Sequence, residues 1–231
     1  SREEQVTILR EVTQVLEAGG LAPFLISGTL LGLVRDKELM PHDYDVDLGL
    51  LPGAGTADDV VRLVGGLSAY DVNAQEWKVV VTGANGFAVD IFVHYERDGL
   101  IWHGSDIHEW WNTPFELERS ELHGGAGLDP GPPEQYLTEN YGVCDRPIAF
   151  YNFSFDTPNR VYRQSSHGLM YLYRLCARSM NSGDRWLVES SVRALRDDFG
   201  IDLTNHLQRT GLLESIDVLK MIASEDLSQD C

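Results

Sequence analysis

Residues 27–49 read SGTLLGLVRDKELMPHDYDVDLG. Near the end of that stretch Asp43, Asp45 and Asp47 alternate with Tyr44, Val46 and Leu48. A strand has period two, so its carboxylates share one face and its apolar side chains the other. Carboxylates one pleat apart repel, and a fold gains nothing from them without a cation or a solvated rim. Oxygen donors at that spacing suit Mg²⁺, which takes a few carboxylates together with phosphate oxygens and water.

Outward from this strand, a second apolar run carries a single acid. In residues 88–93 (AVDIFV), Val89, Ile91 and Val93 take one face and Asp90 shares the other with Ala88 and Phe92. An ionised carboxylate in so apolar a strand resists desolvation. Seen alone, Asp90 reads as an edge-strand acid facing water or paired with an arginine. Set beside Asp45 and Asp47, it reads as the third carboxylate of a shared metal. On the upstream side, Gly28-Thr29 lies at an expected strand-to-helix turn, where free N–H groups meet anions. Arg35 follows on the helix, placed either to cross to a phosphate or to pair at the surface.

The remaining chain is an α/β stretch followed by a helical one. Residues 1–18 read as an amphipathic helix stopped by Gly19-Gly20, 21–26 as a short buried strand, 30–35 as a brief helix and 43–50 as the acidic strand. A helix capped by Thr56 or Asp58 follows to Val64. Residues 76–82, 86–95 and 99–102 alternate like strands, with a tight turn at Ala84-Asn85-Gly86. Residues 103–157 read as mostly irregular, with one helix over 133–141. Thr157-Pro158 then reads as a helix start, and 184–199 as a striped helix ending at Gly200. The expected division is 1–157, with the acids, and 158–231, helical and packed on the first part.

Composition excludes several function classes. The 231 residues carry 18 basic against 36 acidic side chains, a net charge of −18. That balance opposes nucleic-acid backbones and anionic lipid at long range. No apolar run is long enough to span a bilayer. The three cysteines, Cys144, Cys176 and Cys231, match no zinc spacing. Together with the absence of a basic-then-apolar leader, they lead to the expectation of a cytoplasmic protein.

Residues 28–35 (GTLLGLVR) and 41–48 (PHDYDVDL) resemble the signature of the LicD/fukutin-related family, roughly GTLLGAVR, a short loop, then PWDDDIDL. Val89-Asp90-Ile91-Phe92 is similar to the family's third-carboxylate strand, and Tyr136-Leu137, Tyr141-Gly142 and Thr157-Pro158-Asn159 to weaker later landmarks. The resemblance covers about residues 5–160. His42 stands where tryptophan is usual, Tyr44 replaces the middle acid, and Lys37-Glu38 occupy a position where glycine is common.

The resemblance implies an α+β fold, a nucleotidyltransferase-like mixed sheet flanked by helices with a helical C-terminal part. It also implies transfer of a phosphorylated group, of phospho-alditol or phosphocholine type, from a CDP-linked donor to a glycan or related hydroxyl. On that reading Asp45, Asp47 and Asp90 hold Mg²⁺ or Mn²⁺ and carry catalysis. Gly28, Thr29 and Arg35 meet the donor phosphates. Asp43 is a supporting partner or an acceptor contact, and His42 beside the acids is a further binding candidate. The alternative within the superfold is nucleotidyl transfer to a small molecule with release of pyrophosphate, and a non-catalytic scaffold is the third reading.

Other constellations are weaker. His103, His108 and His123 with Asp106 and Glu109 fit no compact zinc motif. Trp102, Trp110, Trp111 and Phe115 read either as a stacking platform or as a patch anchoring a long loop. No Ser-His-Asp or Cys-His nucleophile signature is present.

Overall fold

Side chains alternating along short strands divide one mixed sheet into an apolar face and an acidic one. The computed structural model describes residues 2–41, 43–122, 125–145 and 151–203. The chain separates into two compact units, 1–160 and 161–231.

In the first unit, β1 (Phe24–Leu25), β2 (Asp45–Leu50), β3 (Tyr70–Ala74), β4 (Lys78–Gly83) and β5 (Ala88–Val93) form a five-stranded sheet ordered β1-β2-β5-β4-β3. β2 and β5 run parallel and the other neighbours antiparallel. Val46, Leu48, Val79, Val81, Val89 and Ile91 are buried in one core cluster. The same cluster takes in Ile8, Val12 and Leu16 of α1 (Arg2–Ala18) and Val60 and Val64 of α3 (Ala57–Val64). Burial of each such side chain is worth about 1.5–3 kcal/mol against leaving it in water. Thr56 caps α3 in a reciprocal box with Asp59, which satisfies two otherwise unpaired groups at the helix start.

A three-stranded meander, β6 (Tyr95–Arg97), β7 (Leu100–Gly104) and β8 (His108–Asn112), continues from β5. The hairpin β9 (Glu116–Leu122) and β10 (Gly125–Gly131) follows and lies against β1. Next comes α4 (Pro133–Tyr141), beside α2 (Ser27–Arg35). The short α5 spans Phe153–Asp156. In the second unit, α6 (Ser166–Ser182) and α7 (Arg185–Phe199) pack on each other around Cys176, Val188 and Val192. No described helix is long and apolar enough to cross a membrane.

Several elements differ from the sequence expectation, each for a local reason. The strand over 21–26 contracts to Phe24–Leu25, because Pro23 offers no N–H to the ladder. The acidic strand begins at Asp45, since the Asp43 N–H turns back to the Met40 carbonyl at 3.2 Å. The brief helix starts earlier than expected, at Ser27, whose φ of +52° turns the chain sharply out of β1. Residues 103–157 hold all of β8, β9 and β10 rather than irregular chain; the charged β9 and the glycine-rich β10 acquire strand character only by pairing. Thr157-Pro158 starts no helix. The Thr157 hydroxyl donates back to the Phe153 carbonyl at 3.0 Å, closing α5, and Ser165 caps α6 instead.

One side chain joins α2 to the acidic strand. The buried Thr29 hydroxyl accepts a 2.8 Å hydrogen bond from the Asp47 N–H. Thr29→Val keeps the shape and strands that donor, and its expected cost is about 1–3 kcal/mol, read as a lower urea midpoint with unchanged circular dichroism.

Candidate active site

The parallel register of β2 and β5 sets Asp47 opposite Asp90, with Asp45 one pleat away opposite Ala88. One carboxylate oxygen from each of Asp45, Asp47 and Asp90 lies within 4.8 Å of the others. Asp45 is exposed, Asp47 half-buried and Asp90 only 5% exposed. Burial holds Asp47 well above the usual aspartate range; Asp45, Asp90 and Asp43 push it further and Lys78 opposes. Asp90 is also raised, by burial and by Asp45 against the pull of Lys78. Three clustered oxygen donors, two of them pushed towards the neutral form by their surroundings, fit a hard divalent cation. Such an ion would supply the charge that these residues lack among themselves.

The acids line a cleft of about 700 Å³. Gly28 lies on its wall, where a Cβ would sit 3.4 Å from Asp43 Oδ2 and 3.1 Å from the Met40 methyl. Asp43 lines the cleft outside the metal-type cluster, and the buried Gln5 amide donates to its carbonyl at 2.7 Å. Arg35 also lines the cleft, with its guanidinium forked onto Asp36 at 2.9 and 2.6 Å. Thr29, expected beside the phosphates, faces inward onto the Asp47 amide. His42 lies outside the described residues.

Lys78 is a cleft residue that the sequence did not reveal. It enters the cleft from β4 and pairs directly with the Asp90 carboxylate. The sequence offered only a lysine at a strand start, and nothing local assigned its face. The tryptophans read as a platform or a patch divide between two faces of the meander. Trp110 lines the cleft, stacked on His103 at 5.4 Å, whereas Trp102 and Trp111 stack at 5.7 Å beneath Arg97. Phe115 packs against Phe24 and Tyr136 in the core. His103 and His108 are buried among aromatic rings, and burial pushes His108 down to about 3 and His103 well below its ordinary value. Both are neutral rings. Among the described residues they join no metal-type cluster.

Residues 20–124 match the LicD/FKTN/FKRP nucleotidyltransferase domain, and this span holds Gly28, the three acids and Lys78. This domain belongs to the LicD/fukutin-related family. The mixed α+β architecture of the LicD domain accords with that assignment. Ribitol 5-phosphate transferase FKRP of Homo sapiens is 34% identical over 102 residues, covering 40% of this chain and 20% of that protein. The Mus musculus protein of the same name gives the same figures. The chain thus spans about a fifth of the length of the curated relatives it matches. Among solved structures, the lincosamide adenylyltransferase LnuA with lincomycin is 12% identical, TM-score 0.41, over 56% of this chain and 82% of its own. The solution structure of ANT(2'')-Ia is 14% identical, TM-score 0.47, over 90% and 100%.

The raised Asp47 value has a stability consequence. A carboxylate whose folded value exceeds its unfolded one stabilises the fold below the ordinary aspartate range, and that contribution is lost as pH rises through the folded value. Above that value and without metal, the ionised Asp47 carboxylate therefore strains the fold. Asp47→Asn in EDTA at pH 8 is expected to melt higher than the parent, by roughly 2–4 °C for each kcal/mol relieved. The difference should vanish at acidic pH, where the parent carboxyl takes up its proton. A variant that melts lower at pH 8 contradicts this account.

Proposed function

We propose that the chain is the catalytic part of a metal-dependent phosphotransferase. It moves a phospho-alditol or phosphocholine-type group from a CDP-linked donor to the hydroxyl of a glycan or related acceptor. The observation that carries this is the Asp45, Asp47 and Asp90 cluster set into an open cleft of a LicD domain. The name of the curated relatives, ribitol 5-phosphate transferase, supports phosphoribitol as the group moved.

Asp45, Asp47 and Asp90 would hold Mg²⁺ or Mn²⁺. When bound, the metal supplies positive charge against the donor diphosphate, which phosphoryl-type transfer needs more than covalent catalysis. The chain's own residues do the rest. Gly28 lets a phosphate approach the first turn of α2, since no Cβ stands between cleft and backbone. Arg35, held rigid by Asp36, sets a fixed positive charge on the same wall. Trp110 offers a flat face for the donor's base or the acceptor's sugar. Asp43, lining the cleft outside the cluster, adds negative charge that favours cation over anion at the acidic end.

In the transfer step the acceptor oxygen bonds to the phosphorus of the moving group, and that phosphorus releases its bridge to the nucleotide. CMP leaves, and the acceptor proton passes to Asp90, a carboxylate that lines the cleft within reach of a bound hydroxyl. Nucleotidyl transfer on the same residues would release pyrophosphate instead. The test is incubation of the acceptor glycan and Mg²⁺ or Mn²⁺ with CDP-ribitol in one arm and with CTP in the other, with CMP and pyrophosphate both quantified. CMP release that EDTA abolishes, and that Asp45→Asn lowers at least a hundredfold or so, is expected, given that even outer-shell changes at metal sites cost about 10–100-fold. Pyrophosphate formed from CTP in place of CMP would select nucleotidyl transfer.

A further inference from the structure

Among the described residues lining the cleft, the basic side chains are Arg35 and Lys78. They are held in different ways. The Arg35 fork is closed on Asp36 by two hydrogen bonds. Lys78 is tied to the acids themselves: its ammonium contacts Asp90 Oδ2, and its head lies 5.2 Å from the centre of the Phe92 ring. In the antiparallel ladder Lys78 stands opposite Phe92 and Val80 opposite Asp90, so the lysine reaches Asp90 diagonally along its flexible stem. Its side chain is 26% exposed and that of Asp90 only 7%. The ammonium thus sits at the boundary between a buried carboxylate and the open cleft.

That placement conflicts with a metal on the same carboxylate. An ammonium on Asp90 Oδ2 and a divalent cation on either oxygen of the same carboxylate are like charges held close together, so each weakens the other's hold. A lysine, unlike a forked arginine, carries a compact charge that swings on rotatable bonds and serves phosphate as a point charge. We propose that Lys78 is an exchangeable cation of this site: it neutralises Asp90 when no metal is bound and moves onto the donor diphosphate when a metal takes Asp90. The inference deepens the transferase reading and rests on it. Lys78 is then a donor-binding residue that also keeps the metal-free acidic cluster from repelling itself.

The test uses the full chain with Mn²⁺ and CDP as probes. By calorimetry without nucleotide, Lys78→Met is expected to bind Mn²⁺ roughly tenfold more tightly, since one opposite charge at contact biases a carboxylate by tenfold or more. In EDTA the variant should melt below the parent, with Asp90 left unpaired, and the gap should close at saturating Mn²⁺. At saturating Mn²⁺, CDP affinity should fall about tenfold with the lost phosphate contact. Lys78→Arg, which keeps the charge and grips a carboxylate with two bonds, should bind Mn²⁺ more weakly than the parent; it serves as the test if the methionine variant does not fold. Weaker or unchanged Mn²⁺ binding by Lys78→Met, or a melting gap that persists in saturating Mn²⁺, overturns the exchange and makes Lys78 a fixed structural partner of Asp90. A parent chain whose Mn²⁺ binding is absent, or unaffected by Asp45→Asn, overturns the metal-site reading and the exchange with it.

Discussion

Two neighbouring parallel strands each bring an aspartate to the same rung on the same face, and the rest of the first unit is arranged around that repulsion. Asp47 and Asp90 are register partners, and Asp45 stands one pleat away. Each strand is anchored on its opposite face by Val46, Leu48, Val89 and Ile91 in the core beneath α1 and α3. Neither strand can slide to separate the carboxylates without turning that apolar set towards water, because a slip of one residue inverts every side chain. Core burial therefore holds together charges that would otherwise move apart. A fold that retains such a cluster is one in which something else neutralises it.

The neutralising groups are placed with some economy. Lys78 arrives from the strand on the far side of β5, so its charge meets the buried Asp90 and leaves Asp45 open to the cleft. Thr29 fastens the Asp47 backbone to α2, the helix whose first turn carries Gly28 to the cleft wall. The first turn of α2 and the acidic strand are thereby fixed relative to each other through one buried hydrogen bond. The neutral, buried His103 under Trp110 gives the opposite wall a flat surface without adding charge. A cleft with acids at one end, fixed and mobile cations beside them and an aromatic wall suits a substrate that is part diphosphate and part ring.

Legibility in the sequence followed the range of the forces involved. The alternation DYDVDL needs only the pleat to place Asp45 and Asp47 together, and AVDIFV needs only the same rule to set Asp90 apart from Val89 and Ile91. The cap at Thr56, one of two neighbouring candidates, and the stop at Gly200 are contacts within one turn and were readable for the same reason. What failed lay further apart in the chain. β9 and β10 carry little intrinsic strand character and exist as strands because they pair with each other. Thr157 has the sequence of a cap, and its hydroxyl is claimed by the turn before it.

The order of β2 and β5, and hence the meeting of Asp47 with Asp90, is a tertiary fact that the family resemblance implied and that residue spacing left open. The same holds for Lys78, whose face depends on how β4 docks against β5, and for Thr29, which looks like a phosphate ligand until β2 is laid beside it. By itself the sequence determined which residues are acids on a shared strand face and which side chains form the core, since both follow from period and polarity. Only the tertiary structure decided which cation meets which carboxylate, because that depends on strand neighbours brought together across 12 residues or more of chain.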